Sequence, residues 1–337
     1  MSEQALTPTK DVVTKEKKPL VEVKNLSVHF PVTGGMPFAK KKSVKAVSDM
    51  TLSIYPGETY GLVGESGCGK STLANAMLGM VSPTNGTVYF KGKDLFGVKK
   101  AEFNELRRSM QMVFQDPYSS LNPRWDVSQI IGEPMRIRGG YTEEEVEARV
   151  VELLKLVGLS ERDLHRHPSD FSGGQRQRIG IARALAGDPG FIVADEPVSA
   201  LDVSVQAAVV NLLMDIQREC GTAFLFIAHD IAVVEHISKR IMVMYLGHVM
   251  ESAPAHELVS SPRHPYTQAL LSAVPTVGSD GKKRMILAGD VPSPLAPPEG
   301  CPFHPRCPYA KAECRCSLPP WQEENGHGVR CFYPLEK

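Results

Sequence analysis

The run Gly64-Glu65-Ser66-Gly67-Cys68-Gly69-Lys70-Ser71-Thr72 has the residue types and spacing GxxxxGK[ST] of a phosphate-binding loop. Gly64, Gly67 and Gly69, with Cys68 between the last two, let the backbone turn tightly and aim its N–H groups at phosphate oxygens. Lys70 is spaced to reach the β- and γ-phosphates, and Ser71, followed by Thr72, to ligate Mg²⁺. The bland alternative is a chance glycine-rich turn, and the flanks argue against it. Residues 59–63 read as a buried strand and 71–80 as a helix, the order in which a helix N-terminus adds its dipole to anion binding. The pattern implies a nucleoside triphosphate site.

Two further groups carry chemistry. Asp195-Glu196 closes a short apolar strand, which is where a phosphate-loop ATPase places a Mg²⁺-coordinating Asp with an acidic neighbour near water. Ser172-Gly173-Gly174-Gln175 opens an amphipathic helix, a second place where free N–H groups can meet phosphate. Near the C-terminus, Cys301, Cys307, Cys314 and Cys331 offer four thiolates, with Cys316 a spare fifth. In a reducing compartment such clustering points to metal or cluster ligation before disulfides. The spacing lacks the tight C-x2-C runs of ferredoxins and common zinc sites, so free thiols in a loop-rich tail stay open as an alternative.

The elements that must position these groups follow from periodicity. Residues 1–18 are polar and Lys-rich and read as a disordered lead-in. Residues 21–30 and 44–54 read as strands joined by a glycine- and lysine-containing hairpin or loop over 34–42. Thr142 and Glu145 form a capping-box pattern, and apolar residues recur at helical spacing from Val146 to Val157, which places a helical insert at about 100–175. Residues 111–114 are strand-like and end at Gln115, and short apolar strands at 191–194, 223–227 and 241–245 alternate with helices and argue for an α/β core around a largely parallel sheet. Beyond about 260, Pro becomes dense and helices shorten, which reads as a small appended domain.

Composition bounds the task. Lys+Arg and Asp+Glu both total 38 in the 337 residues, so no global basic field speaks for nucleic acid as a partner. No apolar run reaches the roughly 18 residues of a membrane span, and the polar start lacks a secretory core, so a cytoplasmic chain is expected.

Taken in order, the phosphate loop, Gln115 after a strand, Phe171-Ser172-Gly173-Gly174-Gln175, Asp195-Glu196, the turn Ser199 to Asp202 and His229 resemble the ATP-binding subunits of ABC transporters over about 20–260. Phe171 stands where that family usually has Leu, an apolar exchange. Cys68 in the loop, the stretch from Phe114 to Arg124 and the stretch from Arg263 to Leu271 narrow the resemblance to dipeptide and oligopeptide permeases, F-type ATPase subunit, over nearly the whole chain.

The resemblance implies an ABC-type P-loop ATPase with a RecA-like core, an antiparallel β subdomain and a helical subdomain over 19–260, and a Cys-containing extension over 261–337. It implies head-to-tail pairing with a second homologous ATPase subunit. Each ATP then lies between the phosphate loop of one subunit and Ser172, Gly173, Gly174 and Gln175 of the other. Phe30 would stack on adenine, although a core role is also open to it. Glu196 would be the general base, His229 would contact the γ-phosphate, Gln115 would sense Mg²⁺ with Asp195 and Ser71, and Asp202 would set geometry across the pair. The implied partners are two membrane-spanning permease subunits and an extracytoplasmic peptide-binding protein, with no nucleic acid. The implied place is the cytoplasmic face of the cell membrane. Cys301, Cys307, Cys314 and Cys331 would ligate a [4Fe–4S] cluster, with Zn²⁺ the alternative. Import of nickel or another small solute is a competing reading, and a soluble ABC ATPase of DNA repair or translation a remote one.

Overall fold

The computed structural model describes residues 18–32, 43–274, 285, 287 and 289–336. All but the last residue of the lead-in over 1–18, and the hairpin or loop expected over 34–42, lie outside them. In chain order the first half runs β1 (Val21–Pro31), β2 (Ser43–Ile54), β3 (Thr59–Val63), α1 (Lys70–Met77), β4 (Asn85–Phe90), β5 (Lys93–Asp94), α2 (Lys100–Arg108), β6 (Met110–Val113), α3 (Val127–Arg138) and α4 (Glu143–Leu156). It continues with α5 (Gly173–Leu185), β7 (Phe191–Asp195), α6 (Val203–Cys220), β8 (Ala223–Ala228), α7 (Ile231–Ile237), β9 (Arg240–Tyr245) and β10 (His248–Pro254). After α8 (Ala255–Ser260), the extension adds α9 (Pro265–Ser272), α10 (Ala312–Cys316), β11 (Gln322–Glu324) and β12 (His327–Val329).

The strands form two sheets. One is antiparallel with order β2-β1-β4-β5; the other has order β11-β12-β10-β9-β3-β8-β7-β6. From β9 through β3, β8 and β7 to β6 neighbouring strands are parallel, as the alternation of strands and helices implies. Both faces of this sheet's centre are covered, so β3, β7 and β8 are buried at every position. Phe224, Phe226 and Ala228 of β8 face a layer with the helices, and Ala223, Leu225 and Ile227 face α1 and the antiparallel sheet.

Two expectations shift. The helical insert starts later than 100, because β6 pairs in parallel with β7 and so belongs to the main sheet. The helices that stand apart from that sheet begin at α3, whose N-cap Asp126 accepts from the Gln129 N–H. The capping box at the start of α4 forms as read: Thr142 accepts from the Glu145 N–H, and Glu145 accepts from the Thr142 N–H. The extension is also not a separate domain, because β12 pairs with β10 and lengthens the main sheet. Cys301, Phe303 and Cys314 sit in the same apolar cluster as the helices. Too short and Pro-rich to bury a core of its own, the extension uses the core already there.

Two contacts fix it. Tyr245 of β9, Tyr266 of α9 and Phe303 pack with ring centroids 4.8 to 5.4 Å apart, each such pair contributing about 0.5–1.5 kcal/mol beyond its burial. Fully buried Glu251 of β10 accepts hydrogen bonds from the Arg263 N–H (2.6 Å) and the His264 N–H (3.0 Å). It also pairs with His327 Nε2 of β12 at 2.7 Å, while His327 Nδ1 lies 3.3 Å from Glu257 of α8. Burial opposes charge on His327, but the bonds and charges of Glu251 and Glu257 outweigh it and raise the imidazole pKa above its ordinary value. Neighbouring His264 is pushed down to about 3 by burial and stays neutral, its Nδ1 accepting the Tyr266 N–H at the start of α9.

The sign of the pH effect follows. A histidine whose pKa is raised on folding stabilises the fold fully below its unfolded pKa of about 6.5, and that contribution is lost as pH rises through the folded value. Melting temperature is therefore expected to fall as pH is raised above neutral, and His327→Gln is expected to flatten that slope. A wild-type profile level across this range, measured by thermal unfolding, would contradict the pairing.

Candidate active site

β3 delivers the phosphate loop from the middle of the main sheet, and α1 leaves it at Lys70. Gly67 and Gly69 take φ of +78° and +109°, in the region glycine alone enters freely. A Cβ on Gly69 would stand 2.0 Å from the Ala46 carbonyl oxygen, and one on Gly64 2.2 Å from that of Met244. The loop thus rests directly on β2 and β9. The Cys68 thiol is buried beside Gly64, and burial raises its pKa, so it is a neutral packing group. Lys70 is 5% exposed, and its ammonium donates to the carbonyls of Gly64 (2.7 Å) and Glu65 (3.1 Å). Carbonyl dipoles hold a buried ammonium without neutralising it, and phosphate oxygens would do both.

Opposite the loop stand the carboxylates. Asp195, at the end of β7, is buried, and the nearby Ser71 hydroxyl favours its charged form. Burial raises its pKa, Ser71 works against that, the Glu196 charge adds to it and Lys70 opposes it, leaving the pKa raised. Two oxygen-bearing side chains near each other suit a hard divalent cation. Glu196 takes φ +45°, a left-handed conformation that costs a non-glycine residue roughly 1–2 kcal/mol. The turn brings its carboxylate to three partners. Gln115 donates its amide N–H to Oε2 at 2.9 Å, His229 Nδ1 is 3.9 Å from the same oxygen, and Lys70 Nζ is 3.9 Å from Oε1. A cleft of about 340 Å³ opens between these groups, lined by residues 66–72, Gln115, Glu196 and Phe30 at the end of β1. Phe30 is exposed, so a core role for that ring falls away.

Ser172, Gly173, Gly174 and Gln175 do not line this cleft. Ser172 caps α5, accepting from the Gln175 N–H, and Gln175 accepts from the Ser172 N–H. Gly174 lies against Val205 of α6, and Asp202 caps that helix by accepting the Val205 N–H at 3.0 Å.

Cys301, Cys307, Cys314 and Cys331 line one small pocket with Phe303, and exposed Cys316 is not part of it. Burial, with the charges of neighbouring thiols adding, pushes Cys301 up to about 12 and Cys331 to about 11, and raises Cys307. Among the described residues no group of three His, Cys, Asp or Glu is disposed to hold a metal ion, so the four thiols surround a common space without closing on one point.

Comparison with known proteins agrees with both halves of the chain. Residues 47–199 match the family described as ABC transporter, and residues 250–314 match the oligopeptide/dipeptide transporter C-terminal region. Over 328 residues the chain is 49% identical to "Oligopeptide transport ATP-binding protein OppF" of Salmonella typhimurium, covering 96% of this chain and 98% of the relative. It belongs to the oligopeptide/dipeptide branch of the ABC transporter family. "Putative oligopeptide transport ATP-binding protein YkfD" of Bacillus subtilis is 52% identical, over 93% of this chain and 95% of the relative. Among solved structures, the ATP-binding cassette MJ0796, a dimer in a post-hydrolysis state bound to ADP and Pi, superposes with a TM-score of 0.61 at 32% identity, over 70% of this chain and 98% of that one.

As an ABC ATPase, the chain lines one cleft with Lys70, Ser71, Gln115 and Glu196, with His229 next to Glu196 and Asp195 buried near Ser71, and leaves the 172–175 segment outside it. Sequence reasoning missed a third set of contacts. Arg306 of the extension grips the Glu65 carboxylate, and the Tyr266 hydroxyl accepts the Glu65 N–H. Nothing local signals a bond across 241 residues. The one available hint is an Arg set between Cys301 and Cys307.

Proposed function

We propose that this ATPase powers import of oligopeptides or dipeptides through a membrane permease. The carrying observation is that relatives named for oligopeptide transport match it through the cassette and the cysteine-bearing extension alike, over 93–96% of its length. Among the described residues no helix is long and apolar enough to cross a membrane, so the passage for solute has to come from other subunits. The reading comprises a lead-in at 1–18, a cassette at 19–260 and an extension at 261–337, held at the cytoplasmic face of the membrane by two permease subunits. An extracytoplasmic peptide-binding protein delivers the solute. A groove of about 570 Å³ beside Gln115, lined by exposed Met80, Phe114 and Ile137 and by Arg107, Arg108 and Arg138, supports a permease docking there.

In this reading Gly64, Gly67, Cys68, Gly69 and Thr72 offer the loop to the phosphates, Lys70 holds their charge and Phe30 stacks on adenine. Bound Mg²⁺ would neutralise charge on the transferring phosphoryl group, held by Ser71 and Asp195 with Gln115 beside them. Glu196 takes the proton of the attacking water, Gln115 orients its carboxylate, and His229 reaches the γ-phosphate. Ser172, Gly173, Gly174 and Gln175, with Asp202 setting the angle, close over the nucleotide of a second, homologous ATPase subunit. Their absence from this chain's own cleft supports that arrangement. For the pocket of Cys301, Cys307, Cys314 and Cys331 we favour a [4Fe–4S] cluster, with Zn²⁺ the alternative. The support is that four thiols, three of them buried, line one space, and ligation requires that they give up their protons.

Gentle-detergent pull-down from native membranes is expected to recover two multi-spanning subunits, a second ATPase and a peptide-binding protein; ribosomal or DNA-repair proteins without permeases would defeat the transport reading. Glu196→Gln is expected to lower turnover by about 10²–10⁴-fold while keeping ATP binding, and wild-type hydrolysis by that variant would remove Glu196 as the base. Anaerobically purified protein is expected to be brown and to contain iron, whereas a colourless, iron-free preparation would leave zinc or free thiols.

A further inference from the structure

Glu65, the second residue of the phosphate loop, is held from three sides. Its carboxylate receives a two-armed grip from Arg306, Nη1 to Oε2 at 2.6 Å and Nη2 to Oε1 at 3.1 Å. Its N–H donates to the Tyr266 hydroxyl at 3.0 Å. Its carbonyl accepts from the Lys70 ammonium at 3.1 Å. Two of these partners belong to the extension, and the third is the phosphate-binding lysine itself. The Arg306 side chain is 9% exposed and also reaches the Tyr245 hydroxyl at 3.4 Å, so the pair lies in packed surroundings where removing one charge strands the other.

Arg306 is equally tied to the cysteine pocket. It ends the short turn His304–Arg306 that joins Cys301 to Cys307. The Arg306 N–H donates to the Phe303 carbonyl at 3.0 Å, His304 Nδ1 lies 2.9 Å from the Cys301 carbonyl, and the Cys307 N–H donates to the His304 carbonyl at 3.4 Å. A change in how Cys301 or Cys307 is held therefore moves the backbone that aims the guanidinium.

We propose that the extension clamps the phosphate loop: Arg306 and Tyr266 are positioning residues that fix Glu65 and with it the place of Lys70, so that the state of the cysteine pocket sets the affinity for ATP. The clamp rests on the ATP-hydrolysing reading of the cleft. A strut that only held the extension in place would alter melting temperature and leave nucleotide affinity alone; a clamp alters affinity in protein that remains folded.

The test is titration of the full chain with a fluorescent ATP analogue and Mg²⁺, alongside circular dichroism and steady-state hydrolysis. Arg306→Gln is expected to weaken binding about tenfold, equivalent to about 1.4 kcal/mol, and to raise KM more than it lowers kcat. Arg306→Lys, which keeps the charge but loses the fork, should restore part of the loss. The double variant Glu65→Gln with Arg306→Gln should bind no more weakly than either single variant, because both break one contact. Cys307→Ser should shift affinity in the wild-type background and leave it unchanged in the Arg306→Gln background. Wild-type affinity in folded Arg306→Gln, additive losses in the double variant, or an equal Cys307→Ser shift in both backgrounds would each overturn the clamp. If Arg306→Gln fails to fold, Arg306→Lys and Tyr266→Phe decide, and wild-type affinity in both would overturn it. The separate failure of wild-type protein to bind the analogue, with Lys70→Ala as reference, would strike the ATPase reading itself.

Discussion

The phosphate loop has no space beneath it, and the rest of the architecture meets that condition. Side chains at Gly64 and Gly69 would run into backbone carbonyls of Met244 and Ala46, atoms that cannot rotate out of the way. Gly247 meets the same strand, where a Cβ would stand 2.7 Å from the Lys45 carbonyl oxygen. The loop is therefore supported from below by two elements far apart in sequence, β2 of the antiparallel sheet and the β9–β10 turn of the parallel one. Packing the two sheets against each other is what places a curved row of N–H groups over a floor of fixed backbone. A loop so supported undergoes little reorganisation when charge arrives, which is the condition under which fixed dipoles stabilise phosphate best.

The charges around the cleft follow from the same placement. Parallel strands end together, so β7, β8 and the segment after β6 present Asp195, Glu196, His229 and Gln115 at one edge of the sheet, opposite Lys70. Glu196 and Asp195 are adjacent in sequence and nevertheless differ in surroundings. Asp195 continues the strand and is buried against Ser71, whereas the left-handed turn at Glu196 swings its carboxylate into contact with Gln115. The two adjacent carboxylates thus face different partners, and the left-handed turn at Glu196 separates their surroundings. A β-strand side chain at the next position would otherwise point to the opposite face.

Much of this was legible in the sequence, and the reasons differ by element. The phosphate loop, the Asp195-Glu196 strand end and the Thr142 capping box are local patterns in which a few contiguous residues determine the geometry, and each lies where its pattern implies. The order of strands and helices gave the parallel sheet, because handedness and connection rules leave few alternatives. Strand β6 was visible as an apolar run, but its membership in the sheet was not, since four apolar residues do not say which neighbour they pair with. The pairing of β12 with β10 was hidden for a sharper reason. Residues 322–329 are mostly polar or exposed, and their strand character comes from His327 reaching Glu251 inside the protein. Likewise Arg306 and Glu65 have no periodicity linking them, and long-range ion pairs leave no trace in one sequence.

These non-local contacts change what the extension is. A tail with its own core could be tethered by a linker and move independently of the ATPase. This one has its strand in the main sheet, its aromatic residues against Tyr245, its Glu251 partner in β12 and its Arg306 on the phosphate loop. Tyr245 belongs to β9, the strand whose end also supports Gly64 through Met244. Hence the cysteine pocket and the nucleotide cleft both adjoin the end of β9: Tyr245 packs on Phe303, which lines the pocket, and Leu246 and Gly247 just beyond it line the cleft. Interiors packed at this density transmit displacement instead of absorbing it. The Arg306–Glu65 ion pair is the contact through which a displacement of the extension would reach the phosphate loop.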